Sequence, residues 1–207
     1  MSGVLTPGEV NGAADAGADR LMLPMFTNRD EVQTFRGLVP DDIAITFLAE
    51  TPAALVRTRD WAGGLGERDE IHFGLNDLSL GMGLDFLFEP VAADLLADAA
   101  RFLQSAGIPF GFGGVARING LDALPAETVL GEHVRLGSTR AILSRAFHGA
   151  AESLGELTST VDLAGELAKL REAEAYWRGA GPESLAANHE LLVERTFEIA
   201  AARRARA

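Results

Sequence analysis

The chain contains no cysteine among its 207 residues. That absence excludes disulfides, thiolate nucleophiles and cysteine-ligated zinc or iron–sulfur centres. It fits a reducing compartment, so the expected location is cytoplasmic. Positive charge is also scarce: 18 Lys and Arg stand against 30 Asp and Glu, a formal net charge of -12. Without a cationic excess to displace counterions from phosphates, nucleic acid is not an expected partner. No apolar run approaches the roughly 20 residues that a membrane helix needs. No charged segment followed by an apolar stretch opens the chain, so neither a membrane association nor a signal peptide is expected. No Walker or dinucleotide fingerprint stands in the strand–turn–helix setting it requires.

What the chain does contain is a repeated pattern of short apolar run, turn and helical stretch. The runs are 20–25 (RLMLPM), 43–48 (IAITFL), 70–75 (EIHFGL), 109–112 (PFGF) and a weaker 132–136 (EHVRL). They alternate poorly and are rich in apolar residues, as parallel strands covered on both faces are. Thr27 and Asn28 are placed to cap a helix over 29–38, with Glu31 in its first turn. Thr51 and Pro52 open a helix over 53–61, and Pro90 opens one over 91–106 that stops at Gly107. Leu124-Pro125 opens another short helix, and Ser138 is placed to cap one over 139–147. A helical segment over 7–16 precedes the first strand.

This βα order predicts an α/β fold with a parallel sheet. Strand ends recur every 25–35 residues, near the roughly 30 per unit of a (β/α)8 TIM barrel. About five βα units fit before residue 150, so a partial barrel is expected over 1–150. Beyond it, 151–207 reads as a C-terminal helical extension: amphipathic helices over 162–178 and 183–202, joined by Gly181-Pro182 into a helical hairpin. Ala164, Leu167, Leu170 and Ala173 lie near one face of the first. They could pack on the barrel of their own chain or form a subunit contact. The basic run at 203–206 reads as a solvated tail.

Functional groups of parallel α/β folds gather at the carboxyl ends of the strands. Glu50 follows one run and Asp77 the next. On neighbouring strands, two such carboxylates converge. Hard oxygen ligands without Cys or His suit Mg²⁺ or Mn²⁺, with water and substrate oxygens completing the shell. The alternative is that both merely cap the helices that follow. Gly111, Gly113 and Gly114 form a turn whose backbone could approach an anion. Gly137-Ser138-Thr139 are placed at an expected helix start, where free N–H groups favour an anion. Arg117, Arg135 and Arg140 lie near these turns in sequence, as candidates for a substrate anion. Ordinary turn glycines and solvated arginines are the alternative here. Gly81 to Gly83 read as a flexible loop. His72 reads as a satisfied core residue, and His133 as leading into the last strand, where it could face the site. His148 and His189 read as peripheral. Ser79, Ser138 and Ser144 have no base partner in the sequence, so a serine nucleophile is not expected.

Taken in order, GADRLMLPMF, FLAETPAAL, IHFGLNDLSLGMG and IPFGFGGVAR resemble the HpcH/HpaI aldolase and citrate lyase β-subunit family. EHVRLGSTRAILSRAF is similar to a branch of uncharacterised bacterial aldolase-like proteins. The resemblance covers roughly residues 10–148. It implies a phosphoenolpyruvate/pyruvate-type TIM barrel in which Glu50 and Asp77 hold Mg²⁺, Mn²⁺ or another divalent metal. The backbone around Gly74, Asn76 and Asp77 would lie beside a 2-oxo acid, with Gly113, Gly114, Arg117, Arg135 and Arg140 as further substrate-binding candidates. In that family the metal chelates pyruvate or oxaloacetate and stabilises an enolate while a carbon–carbon bond is made or broken. The family's substrate-binding arginine and, in its aldolases, a catalytic histidine lie on strands that precede GADRLMLPMF. No residue of this sequence takes either role, and the catalytic residues stay unassigned. The expected function is therefore a metal-dependent carbon–carbon lyase, acting as a homo-oligomer. The alternative is a non-catalytic or truncated barrel that binds a ligand or assembles with a partner chain.

Overall fold

A computed structural model describes residues 7–118, 120, 123–148 and 151–206. Five parallel strands pair in chain order: β1 (Arg20–Leu23), β2 (Ala44–Leu48), β3 (Glu70–Phe73), β4 (Phe110–Val115) and β5 (Arg140–Leu143). The sheet curls into a half-barrel. Before β1 stands α1 (Pro7–Asp15). The connections carry α2 (Arg29–Leu38), α3 (Pro52–Val56), α4 (Thr58–Trp61), α5 (Leu75–Gly81), α6 (Glu89–Ala92), α7 (Ala97–Ser105) and α8 (Ala126–Arg135). After β5 come α9 (Leu154–Thr160), α10 (Leu163–Gly179) and α11 (Pro182–Arg204). Among the described residues no helix is long and apolar enough to cross a membrane.

The expected caps form. Asn28 Oδ1 accepts the Glu31 N–H at 3.1 Å, while Glu31 Oε2 accepts the Thr27 N–H at 2.6 Å, two reciprocal bonds that close the start of α2. Thr51 Oγ1 accepts the Ala54 N–H at the start of α3 and donates to the Phe26 carbonyl. Helix α7 stops at Gly107, whose φ of 68° is the left-handed stop the sequence implied. Under the helices, Phe26 meets both Phe47 and Trp61 edge-on, with Phe26 and Trp61 centroids 4.7 Å apart. Fully burying each such ring stabilises the fold by about 1.5–3 kcal/mol.

Several expectations are corrected. The stretch 132–136 is not a strand. It belongs to α8, where Ala126, Val129, Leu130 and His133 recur at helical spacing and are buried. The last strand is β5, inside the stretch expected as the helix 139–147. Gly137 ends α8 with a φ of 68°, and Ser138 caps no helix: its Oγ lies 3.2 Å from the Phe110 carbonyl and 3.1 Å from that of Arg140. Gly137-Ser138-Thr139 therefore lead into a strand, and the anion-binding helix start expected there does not exist. Two expected helices are broken. Arg57 separates α3 from α4, and Asp94, with φ 54°, lies in the turn between α6 and α7.

The C-terminal helices α10 and α11 each pack on α8 of their own chain, the first of the two readings left open. Trp177 Nε1 donates to the Glu127 carbonyl at 2.8 Å, and Asn188 Nδ2 to that of Thr128 at 3.0 Å. Leu170, Leu192 and Ala200 join the barrel core. The basic run is not simply solvated, since Arg204 pairs with Asp85 and Arg203 lies over the Phe86 ring.

Candidate functional site

Glu50 stands two residues beyond β2, and Asp77 lies in the first turn of α5, just beyond β3. Because β2 and β3 are neighbours, both carboxylates come to the same end of the sheet. Glu50 is 6% exposed, whereas Asp77 is exposed. Burial pushes the Glu50 carboxyl above its ordinary range, and the charge of Asp77 pushes it further. A hydrogen bond from the Met25 N–H partly offsets both.

Neither acts as a helix cap. The cap of α3 is Thr51, and α5 begins at Gly74 without a side-chain cap. Glu50 Oε1 instead accepts the Met25 N–H at 3.1 Å. Met25 has a φ of 56°, a left-handed conformation that costs a non-glycine residue roughly 1–3 kcal/mol. That turn aims the N–H at Glu50. The other oxygen, Oε2, has no hydrogen-bond partner among the described residues. It lies over Gly74, where a Cβ would stand 2.8 Å from it.

The glycines of β4 answer to close approach. A Cβ at Gly111 would stand 2.3 Å from the Arg140 carbonyl oxygen, so the β4–β5 pairing needs glycine there. Gly113 has a φ of 55° and packs against Leu75 at the start of α5. The strand register shifts between Gly111 and Gly114. His72 fastens this irregular segment: its Nε2 lies 3.0 Å from the Gly113 carbonyl, which can only accept, so Nε2 carries the proton. Burial lowers its pKa. Gly113 and Gly114 thus stand toward the same end of the sheet as Glu50 and Asp77, and His72 is satisfied, as expected.

The three candidate arginines separate. Arg117 is half-buried two residues beyond β4, at the end of the sheet that holds Glu50. Arg140 opens β5 and donates through Nε to Glu70, the first residue of β3, at 2.8 Å. It therefore belongs to the opposite end of the sheet. Arg135 closes α8 and pairs with Glu132 and Asp94. Neither Arg135 nor Arg140 is brought to Glu50 and Asp77. His133 does not face the site either. Its ring stacks on Phe112 at 3.9 Å from α8, and Nδ1 bonds Ser138 Oγ at 2.8 Å. Burial, reinforced by the charge of His72, lowers its pKa to about 3. Asn76 is exposed beside Asp77.

Among the described residues no group of three or more His, Asp or Glu side chains could hold a metal. A cation bound here would have two protein carboxylates, Glu50 and Asp77, with water or substrate oxygens in the other positions. That donor set fits Mg²⁺, which takes one or two carboxylates and keeps several waters. The residue that sequence reasoning missed is Met25, since its contribution is a backbone N–H that any residue carries.

No family model and no curated protein matches the chain. Its structure is similar to RipC from Yersinia pestis, at 17% identity over 76% of this chain and 72% of that one, with a TM-score of 0.56. It is also similar to a pyruvate kinase from Cryptosporidium parvum, at 15% identity over 82% of this chain and 39% of that one, with a TM-score of 0.53. At such identities the likeness is one of fold, a curled parallel sheet flanked by helices.

Proposed function

We propose that the chain is a divalent-metal-dependent carbon–carbon lyase acting on a 2-oxo acid such as pyruvate or oxaloacetate. The observation that carries this reading is the state of Glu50. It is a buried carboxylate with one oxygen fixed by a strained backbone turn, the other without a hydrogen-bond partner among the described residues, and a second carboxylate acting on it from the start of α5. Keeping two carboxylates in mutual repulsion costs stability unless a cation offsets their charge. Glu50 and Asp77 would hold Mg²⁺ or Mn²⁺. When bound, such an ion offsets the negative charge that develops on a keto oxygen as a carbon–carbon bond alpha to it is made or broken.

The chain's own groups supply the rest of this reading. The Met25 N–H orients Glu50, and Gly74 leaves room for Oε2. The backbone of Gly74, Asn76 and Asp77 lines the place for the oxo acid, with Gly113 and Gly114 across from it. Arg117, two residues beyond β4, would meet the acid's carboxylate. The test is calorimetry of Mn²⁺ and then pyruvate on the wild type and on Asp77→Asn. The reading holds if the wild type binds both and the variant neither. A folded wild type that binds neither overturns it.

One observation favours a second reading, a barrel that assembles with a partner or with further copies of itself. All four residues of β5 are exposed, including Ile142 at 44%, and Met22 of β1 is 40% exposed. Parallel strands are ordinarily covered on both faces, and open edges invite pairing. Sedimentation at dilute concentration tests it: a monodisperse monomer counts against both the partner and the homo-oligomer.

A further inference from the structure

A cavity of about 370 Å³ lies on the outer side of the sheet, between β5, α8 and α10. Leu130 and Val134 of α8, Leu143 of β5 and Leu167 of α10 give it a hydrocarbon wall. Its volume falls in the range of small-molecule sites. It takes no residue from the Glu50–Asp77 site, so it does not depend on the function proposed above.

The charged residues lining it are Arg140, Arg171 and Glu174. The Arg140 charge is taken up by Glu70, whereas Glu174 faces two arginines, Arg171 and Arg178, which leaves one positive charge in excess there within a chain of net charge -12. Glu174 is itself shared: Arg171 donates to its Oε2 at 2.8 Å and Arg178 to its Oε1 at 3.0 Å. The Arg171 side chain is 80% exposed and uses Nη1 alone on Glu174, which leaves the rest of its fork for an anion among the described residues. His133, also in the lining, is neutral at physiological pH and held by Ser138, so it adds no competing charge. The occupant such a place selects has a hydrocarbon body and a single negative head.

We propose that this cavity binds a small amphiphilic monocarboxylate, with its hydrocarbon part against Leu130, Val134, Leu143 and Leu167 and its carboxylate at Arg171. The probe is sodium octanoate, titrated calorimetrically into the full chain in buffer free of divalent cations. Acetate and 1-octanol serve as comparisons, because each lacks one half of the recognition. The wild type is expected to bind octanoate, with acetate and 1-octanol each weaker by about tenfold or more. Leu167→Trp, on an accessible helix face, fills the cavity and is expected to abolish binding. Arg171→Gln removes the charge while keeping a polar side chain at this position, and is expected to weaken octanoate by about five- to tenfold while leaving 1-octanol unchanged. Circular dichroism of both variants establishes that they fold. Equal affinity for octanoate and 1-octanol would overturn the carboxylate assignment. Absence of octanoate binding by the wild type, or binding indifferent to Leu167→Trp, would overturn the site.

Discussion

The carboxylate of Glu50 occupies the space that a side chain at residue 74 would need. A Cβ at Gly74 would stand 2.7 Å from Glu50 Cβ and 2.8 Å from Oε2. Glycine is therefore required here by a neighbour on the adjacent strand, and not by its own backbone angles. Replacing it moves Glu50. In Gly74→Ala, Oε2 is displaced while the Met25 N–H still holds Oε1. Mn²⁺ affinity is expected to fall by about tenfold or more, each tenfold being about 1.4 kcal/mol. Calorimetry of Mn²⁺ on the wild type and Gly74→Ala checks it, and equal affinities would place the metal elsewhere.

Glu50 also sets a pH dependence. Its pKa in the folded chain is raised above the ordinary carboxylate value, by burial first and by Asp77 second. A raised carboxyl pKa means that the folded state binds the proton more tightly than the unfolded one. The stabilisation from the neutral form is present in full below the ordinary value and is lost as pH rises through the folded one. In the metal-free protein, Glu50→Gln should therefore raise the melting temperature at neutral pH, by about 2–4 °C per kcal/mol recovered. It should change little at a pH below the ordinary value, where both proteins are neutral at this position. Thermal melts at the two pH values, with chelator present, decide it. A variant less stable at neutral pH would show that the Glu50 charge is compensated by a group other than Met25.

Asp69 makes the sharpest stability prediction. Its side chain is 1% exposed and accepts from Ile45 N–H and Gly66 N–H, both at 2.8 Å, and from Arg36 at 3.1 Å. Asp69→Ala strands the Arg36 charge and two backbone donors together. The expected cost is about 3–5 kcal/mol, read as a shift of the urea midpoint without a change in slope. A loss below about 1 kcal/mol would mean that water replaces the carboxylate.

Much of this fold is legible in the residues. The apolar runs that become β1 to β4 are continuous and bounded by turn residues, and the caps at Asn28, Thr51 and Gly107 are set by local chemistry alone. That Glu50 and Asp77 lie at one end of the sheet follows from strand adjacency, which chain order supplied. The last unit was misread for a physical reason. EHVRL, the weakest of the five runs, reads as a strand because it is short and stands at the expected spacing, yet Val129, Leu130 and His133 continue a helical face begun at Ala126. What selects the helix is distant: Asn188 and Trp177, some 50 to 60 residues on, bind the carbonyls of α8. Tertiary partners of that kind leave no local signal, and with α8 extended, β5 moves to RAIL and Arg140 to the far end of the sheet. Met25 was equally invisible, because its part is played by backbone.

That long-range selection of α8 can itself be measured. Helices α8 and α11 approach so closely at Gly131 that a Cβ there would stand 2.4 Å from Asn188 Nδ2 and 2.7 Å from its Cγ. Gly131→Ala must push Asn188 away and break its bond to the Thr128 carbonyl, at an expected cost of about 1–3 kcal/mol. Helix propensity works the other way, since alanine favours an isolated helix by about 1 kcal/mol over glycine. The two effects separate in the Asn188→Ala background. There the overlap is gone, the propensity gain remains, and Gly131→Ala should become neutral or stabilising. A double-mutant cycle by urea denaturation should therefore give a coupling energy of about 1–3 kcal/mol. Additive effects would show that α11 does not rest on α8 at this point, and would remove the reason that α8 outcompetes a strand at EHVRL.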